Sequence, residues 1–236
     1  MKSVILCFCF LPFLFFANTT RANEPKQAKL DLLLVVDNSL SMEAIHTEMK
    51  SNIKFFFQRL NAIKNLDWRL GLISTTSSDT PYLGLGFKEF FDYRTNDKVT
   101  LFNLAIDNLG LNGSYDEISF DNAIRALVNY PDFSRRGVDS SLAIIFVTDE
   151  VEQSVIFNPD TFLTTLKSIY GTYGKTKIYG AFGFKDMDHC PTNQNGPTYE
   201  GSKFQKVIEA TGGFAISACS ESFETGLNKI ARDFQF

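Results

Sequence analysis

The chain has 236 residues, 44% of them hydrophobic, and a formal charge of −4. That length suits one domain with a sizeable core. An acidic chain with no basic cluster argues against nucleic acid and anionic lipid as partners.

Met1 and Lys2 precede an apolar run from Val4 to Ala17 that contains Pro12. A membrane-spanning helix needs about 20 apolar residues, and this run falls short. A basic start, a short apolar stretch and the small residues of Thr20-Arg21-Ala22 predict a secretory signal peptide cleaved after Ala22. The alternative, an uncleaved anchor, is opposed by the length of the run and by Pro12. Residues 1–22 are therefore read as a signal peptide and 23–236 as one domain, secreted or periplasmic, with no stable membrane insertion after cleavage. Loss of Lys2 and Arg21 takes the charge from −4 to −6.

In the remaining chain, Leu30 to Asp37 is a near-continuous apolar run, the pattern of a strand buried on both faces. Met42, Ile45, Met49, Ile53, Phe56 and Leu60 then recur every three or four residues and predict a helix. Trp68 to Thr76 and Tyr82 to Tyr93 read as strands, joined as a hairpin through the turn at residues 77–81. The dense aromatic stretch from Gly86 to Tyr93 is either an edge hairpin packed on the core or a patch for a partner.

Phe120, Ala123, Ile124 and Leu127 mark a further helix, and Ser141 to Val147 another buried strand. Asp160 can cap a helix carrying Phe162, Leu166 and Ile169. Lys177 to Phe184 is the next strand, and Phe204, Val207 and Ile208 the next helix. Phe214 to Ile216 is a short last strand. Phe223, Leu227, Ile230 and Phe234 close the chain on an amphipathic helix.

Of the four cysteines, Cys7 and Cys9 leave with the signal. Cys190 and Cys219 remain as an even pair in an exported chain, which predicts a disulfide. Closing a loop of that size contributes roughly 3 kcal/mol on chain-entropy grounds. Two free thiols are the alternative. A zinc site would need more ligands than this pair and His189 supply.

Strands alternating with helices predict a doubly wound, mostly parallel α/β sheet with helices on both faces and one antiparallel edge hairpin. Ligands of such sheets bind beyond the carboxyl ends of the strands. There the first strand runs into Asp37-Asn38-Ser39-Leu40-Ser41, and the strand at 141–147 into Thr148-Asp149-Glu150. A carboxylate and two hydroxyls on alternate residues suit a hard divalent cation with an oxygen shell. Taken alone, Ser39 or Ser41 could equally cap the following helix. Between these segments, Asn112 to Glu117 forms a turn rich in oxygen donors.

Hydrophobic strand, D-x-S-x-S, amphipathic helix, hairpin and a later strand ending in Thr-Asp together resemble the von Willebrand factor type A domain family. The resemblance covers roughly residues 28 to 234 and is closest to exported bacterial single-domain members. It implies a metal-ion-dependent adhesion site, with Mg²⁺ foremost and Mn²⁺ or Ca²⁺ as alternatives. Ser39 and Ser41 would bind the ion directly, and Asp37 and Asp149 directly or through water. The family's third loop usually supplies a threonine. This chain offers Ser114, Asp116 or Glu117 instead, of which Glu117 is the favoured ligand.

A third carboxylate would leave the site net negative and weaken its attraction for an acidic partner. The implied function is protein–protein interaction or adhesion, with a loop-stabilising cation in an assembly component as the alternative. Asp37 at a strand end is also reminiscent of haloacid-dehalogenase-type phosphatases, but those carry a second Asp where Ser39 stands. His46 reads as an ordinary helix residue, and no nucleophile elbow or phosphate-cradling glycine loop is present. The chain is thus not expected to be an enzyme, and a metal-assisted hydrolase ranks last.

Overall fold

Nine residues from Ala28 to Val36 form β1, because a run of Leu and Val cannot expose either face and satisfies its backbone only within a sheet. The computed structural model describes residues 27–76, 90–134, 140–170, 176–187, 190, 196–219 and 223–234. The expected signal peptide, His189 and residues 82–89 of the expected third strand lie outside the described residues.

After β1, a single 3₁₀ turn at Leu40–Met42 leads into α1 (Glu43–Ala62) and β2 (Leu66–Ser74). The short β3 (Phe91–Asp92), α2 (Lys98–Leu109), α3 (Ser119–Asn129) and the one-turn α4 (Pro131–Ser134) follow. Then come β4 (Ser140–Thr148), α5 (Pro159–Tyr170), β5 (Thr176–Phe182), α6 (Lys203–Ala210), β6 (Ala215–Ser217) and α7 (Phe223–Asp233).

Among the described residues the strands make one sheet in the order β3-β2-β1-β4-β5-β6. β3 alone is antiparallel, pairing Arg69 with Asp92 and Leu70 with Phe91 on β2. Central β1 is parallel to both neighbours, with Val36 opposite Ser74 on one side and Val147 on the other. Side chains alternate across the sheet. Leu32, Leu34 and Val36 face α1, α2 and α7, whereas Leu33 and Val35 face α3, α5 and α6. Burial of each such side chain contributes about 1.5–3 kcal/mol, so helices on both faces are what the sequence of β1 demands.

Two local expectations change. The helix α2 was not marked by the pattern read from the sequence: it buries only Phe102, Ala105 and Ile106, and Asp97 before it is left-handed at φ 51° with no side-chain cap. Asp160 does not cap α5. Asn158 does, its Oδ1 accepting from the amides of Asp160 and Thr161 at 3.0 Å each, with Pro159 in the first helical position. In the aromatic stretch, Phe91 is buried against the core and the Arg69 guanidinium lies 4.5 Å from the centre of the Phe90 ring. Among the described residues no helix is long and apolar enough to cross a membrane.

Candidate metal centre

The connections leave β1 in one direction toward β2 and in the other toward β4, so a crevice opens between β1 and β4 at their carboxyl ends. The amide of Asp37 donates to Val147 O at 2.9 Å, which fixes the first residue after β1 against β4. Asp37 is fully buried, and its carboxylate is held from two sides. Oδ1 accepts from the Ser39 amide at 2.7 Å and Oδ2 from the Thr148 hydroxyl at 2.6 Å. Its carbonyl accepts from His46 Nε2 at 2.7 Å. His46 is buried and desolvation lowers its pKa, so the ring is a neutral strut and not a charge.

Ser39 and Ser41 face one another with their hydroxyls 3.0 Å apart, and Ser41 Oγ donates to Asp149 Oδ1 at 3.0 Å. Neither serine caps the helix. Ser39 stands at the cap position of the 3₁₀ turn without a side-chain cap bond, and Met42 occupies that of α1. The capping alternative is thereby removed, and the two hydroxyls belong to a polar chain ending on a carboxylate.

The third loop is docked through Asn38. Its Oδ1 accepts from Ser74 Oγ at 3.0 Å and Thr76 Oγ1 at 2.5 Å, its Nδ2 donates to Leu109 O at 3.2 Å, and its carbonyl accepts from the Gly113 amide at 2.8 Å. A Cβ on Gly113 would stand 2.5 Å from both Asn38 Oδ1 and Thr76 Oγ1, so only glycine permits this approach. Of the three third-loop candidates, Asp116 is exposed and Ser114 accepts from its amide at 3.1 Å in a local turn. Glu117 is the buried one. It bridges Thr76 and its carbonyl accepts from the Gln153 amide at 2.8 Å. Its Oε2 accepts from the Thr75 hydroxyl, and its Oε1, equally buried, has no hydrogen-bond partner.

The acids of this crevice disfavour one another's charge. Burial, and secondly the charge of Asp37, push Glu117 up to about 8 and Asp149 up to about 6. Glu150 is raised by the same two causes. Burial without a counter-charge has this effect, and a cation among the oxygens would reverse it. Among the described residues no three Asp, Glu, His or Cys side chains converge as a ready-made metal cage. A cation here would therefore rely on the hydroxyls of Ser39 and Ser41 as much as on carboxylates. That all-oxygen donor set, together with the orphaned Oε1 of Glu117, fits a hard divalent ion.

Cys190 and Cys219 are joined, with Cα atoms 5.2 Å apart, and tie the segment after β5 to the end of β6. The segment begins beside the crevice. The Gly183 amide donates to Thr148 O at 3.0 Å, and a Cβ on Gly183 would stand 2.8 Å from Asp149 Cβ. Sequence reasoning gave no role to Asn38, Thr75 or Gly113 and read His46 as an ordinary helix residue, because what each does depends on tertiary contacts. Thr148 had a signal, since it sits between a buried strand and Asp149.

The von Willebrand factor type A domain model matches residues 31–179. Among solved structures, the conserved hypothetical protein BatB from Bacteroides thetaiotaomicron superposes with a TM-score of 0.50 at 13% identity, over 87% of this chain and 96% of that one. The pilus adhesin SpaC from Lactobacillus rhamnosus GG gives 0.54 at 14% identity, over 89% of this chain and 30% of that one. The PilB minor pilin from Streptococcus sanguinis gives 0.50 at 14% identity, over 89% and 61%. This chain thus spans less than a third of SpaC and under two thirds of PilB, and likeness at such identities speaks for the fold alone. No curated protein matches the sequence. With its family match extending over more than half of the sequence, the chain belongs to the von Willebrand factor type A domain family.

Proposed function

We propose that the chain is an exported module that binds a divalent cation through Ser39, Ser41, Asp37, Asp149 and Glu117, and meets a protein partner at that face. Mg²⁺ is the first candidate, with Mn²⁺ and Ca²⁺ next. The observation that carries this reading is the chain of oxygens from Ser39 through Ser41 to Asp149, in which neither serine is used for capping. Export is supported by the disulfide, a bond of oxidising compartments. An adhesive role is supported by the family and by the shared fold of a pilus adhesin and a minor pilin. Binding is favoured over catalysis because His46, the histidine among the described residues, has its Nε2 committed to the Asp37 carbonyl and not to either serine.

A second reading, a cation that stabilises the loops of an assembly component, is favoured by Glu117, whose charge would make the ion less attractive to an acidic partner. Thermal unfolding in EDTA and with each cation, beside a Ser39→Ala/Ser41→Ala variant, tests the common premise. A bound ion stabilises by RT ln(1 + [L]/Kd), about 2.7 kcal/mol at a hundredfold excess over Kd. The reading expects a rise in Tm that the variant lacks. Equal melting of both proteins with and without cation contradicts it.

A further inference from the structure

The loops that carry the candidate metal centre also carry an unusual surface. Three segments, 37–43, 110–117 and 148–158, contain seven acidic side chains and no Lys, Arg or His. The same segments present Leu40 at 73% exposure, Tyr115 at 97%, Val151 at 49%, Val155 at 89% and Ile156 at 58%. Elsewhere among the described residues, the large hydrophobics so exposed are Leu104 and Val128 alone. Apolar exposure is therefore concentrated where the loops meet.

These segments are fastened into one surface. Ser41 Oγ donates to Asp149 Oδ1 at 3.0 Å, joining the first to the third. Gln153 donates from its amide to Glu117 O at 2.8 Å and from Nε2 to Tyr115 O at 3.0 Å, joining the second to the third. The far end of the third is held by Asp121 on α3, whose carboxylate accepts from the Ile156 amide at 3.3 Å and the Phe157 amide at 3.0 Å. Val155 and Ile156 thus stand out from a backbone that is fixed on both sides. A fixed loop exposing aliphatic side chains has no folding reason to do so, and such patches mark interaction sites.

We infer that this face takes a protein segment that pairs basic with apolar side chains, its Lys or Arg answering the acidic loops and its apolar residues covering Leu40, Tyr115, Val151, Val155 and Ile156. The inference rests on the proposed reading of this face as the interaction face and names the class of partner. Glu43 and Asp116 are exposed and Glu150 is half-buried, and all three lie outside the proposed ligands, so the acidic preference holds with the ion bound. An acidic segment meets net repulsion, and an anionic membrane is repelled for the same reason.

The test uses the full chain and two fluorescein-labelled peptides that share the same Leu and Phe residues, one carrying Lys and the other Glu at the remaining positions. Binding is followed by fluorescence polarisation, in EDTA and in Mg²⁺, to the wild type and to Val155→Ser/Ile156→Ser. That variant leaves every charge in place and removes only exposed side chains, so its unchanged Tm certifies the fold. The Lys peptide should bind at least about tenfold tighter than the Glu peptide and lose about tenfold in the variant. Equal affinity for the two peptides, or a Lys peptide indifferent to the variant, overturns the inference. So does preferential binding of the wild type to phosphatidylserine vesicles. The two readings separate cleanly. A Glu peptide captured only in Mg²⁺ ends the inference and keeps the cation site. A Lys-peptide preference without any cation effect on Tm does the reverse.

Discussion

Replacing Glu117 with Gln and following stability against pH probes the crevice through a single atom. Glu117 is 1% exposed and its pKa is pushed from 4.5 to about 8, first by burial and then by Asp37. The folded state therefore holds this proton more tightly than the unfolded chain does. The resulting stabilisation is complete below about pH 4.5 and is lost as pH rises through 8. A rise of that size corresponds to on the order of 5 kcal/mol between the two ends of the window. Glutamine keeps the shape and the acceptor for Thr75 but cannot ionise, so the variant lacks this slope.

Urea unfolding of both proteins in EDTA at pH 5, 7 and 9 should show the wild type losing several kcal/mol relative to Glu117→Gln as pH rises. If Glu117 is a ligand as proposed, saturating Mg²⁺ should reverse the direction, because a cation binds the carboxylate and not the acid, and the wild type should gain with pH. Parallel curves in EDTA would refute the argument that Glu117 is held protonated by its surroundings. A variant that responds to Mg²⁺ as strongly as the wild type at pH 9 would remove Glu117 from the ligands.

Gly113→Ala should cost about 1–3 kcal/mol in urea unfolding and weaken cation binding, because the added methyl meets Asn38 Oδ1 and Thr76 Oγ1 at 2.5 Å. An unchanged variant would show that the third loop is not docked through Asn38. Cys190→Ser/Cys219→Ser should lose about 2–4 kcal/mol by releasing a 29-residue separation, and should leave the cation response in place. Loss of that response would make the disulfide part of the site and not merely its neighbour.

The placement of the candidate residues was readable from the sequence because they hang on strand ends. β1 and β4 are apolar on both faces, so their identity and their carboxyl ends follow from composition, and Asp37 and Asp149 stand at those ends. What the hydroxyls of Ser39 and Ser41 do was not readable, since capping and ligation use the same residue types at the same spacing. Their contacts with each other and with Asp149, and the missing cap bonds, speak only against capping. His46 looked ordinary because a helix position says nothing about a ring nitrogen reaching Asp37 O. The cap of α5 was one step from legible: Asn158-Pro159 is a cap followed by a first-turn proline, and the acid after it drew attention away. α2 escaped because it buries three residues only and begins without a cap.

The most direct test of the central claim is anomalous diffraction from a crystal of the protein grown with Mn²⁺. The account predicts one strong peak in the crevice between β1 and β4, within bonding distance of Ser39 Oγ and Ser41 Oγ and beside Asp149. A fully ordered crevice without that peak, or manganese bound only elsewhere, would contradict it.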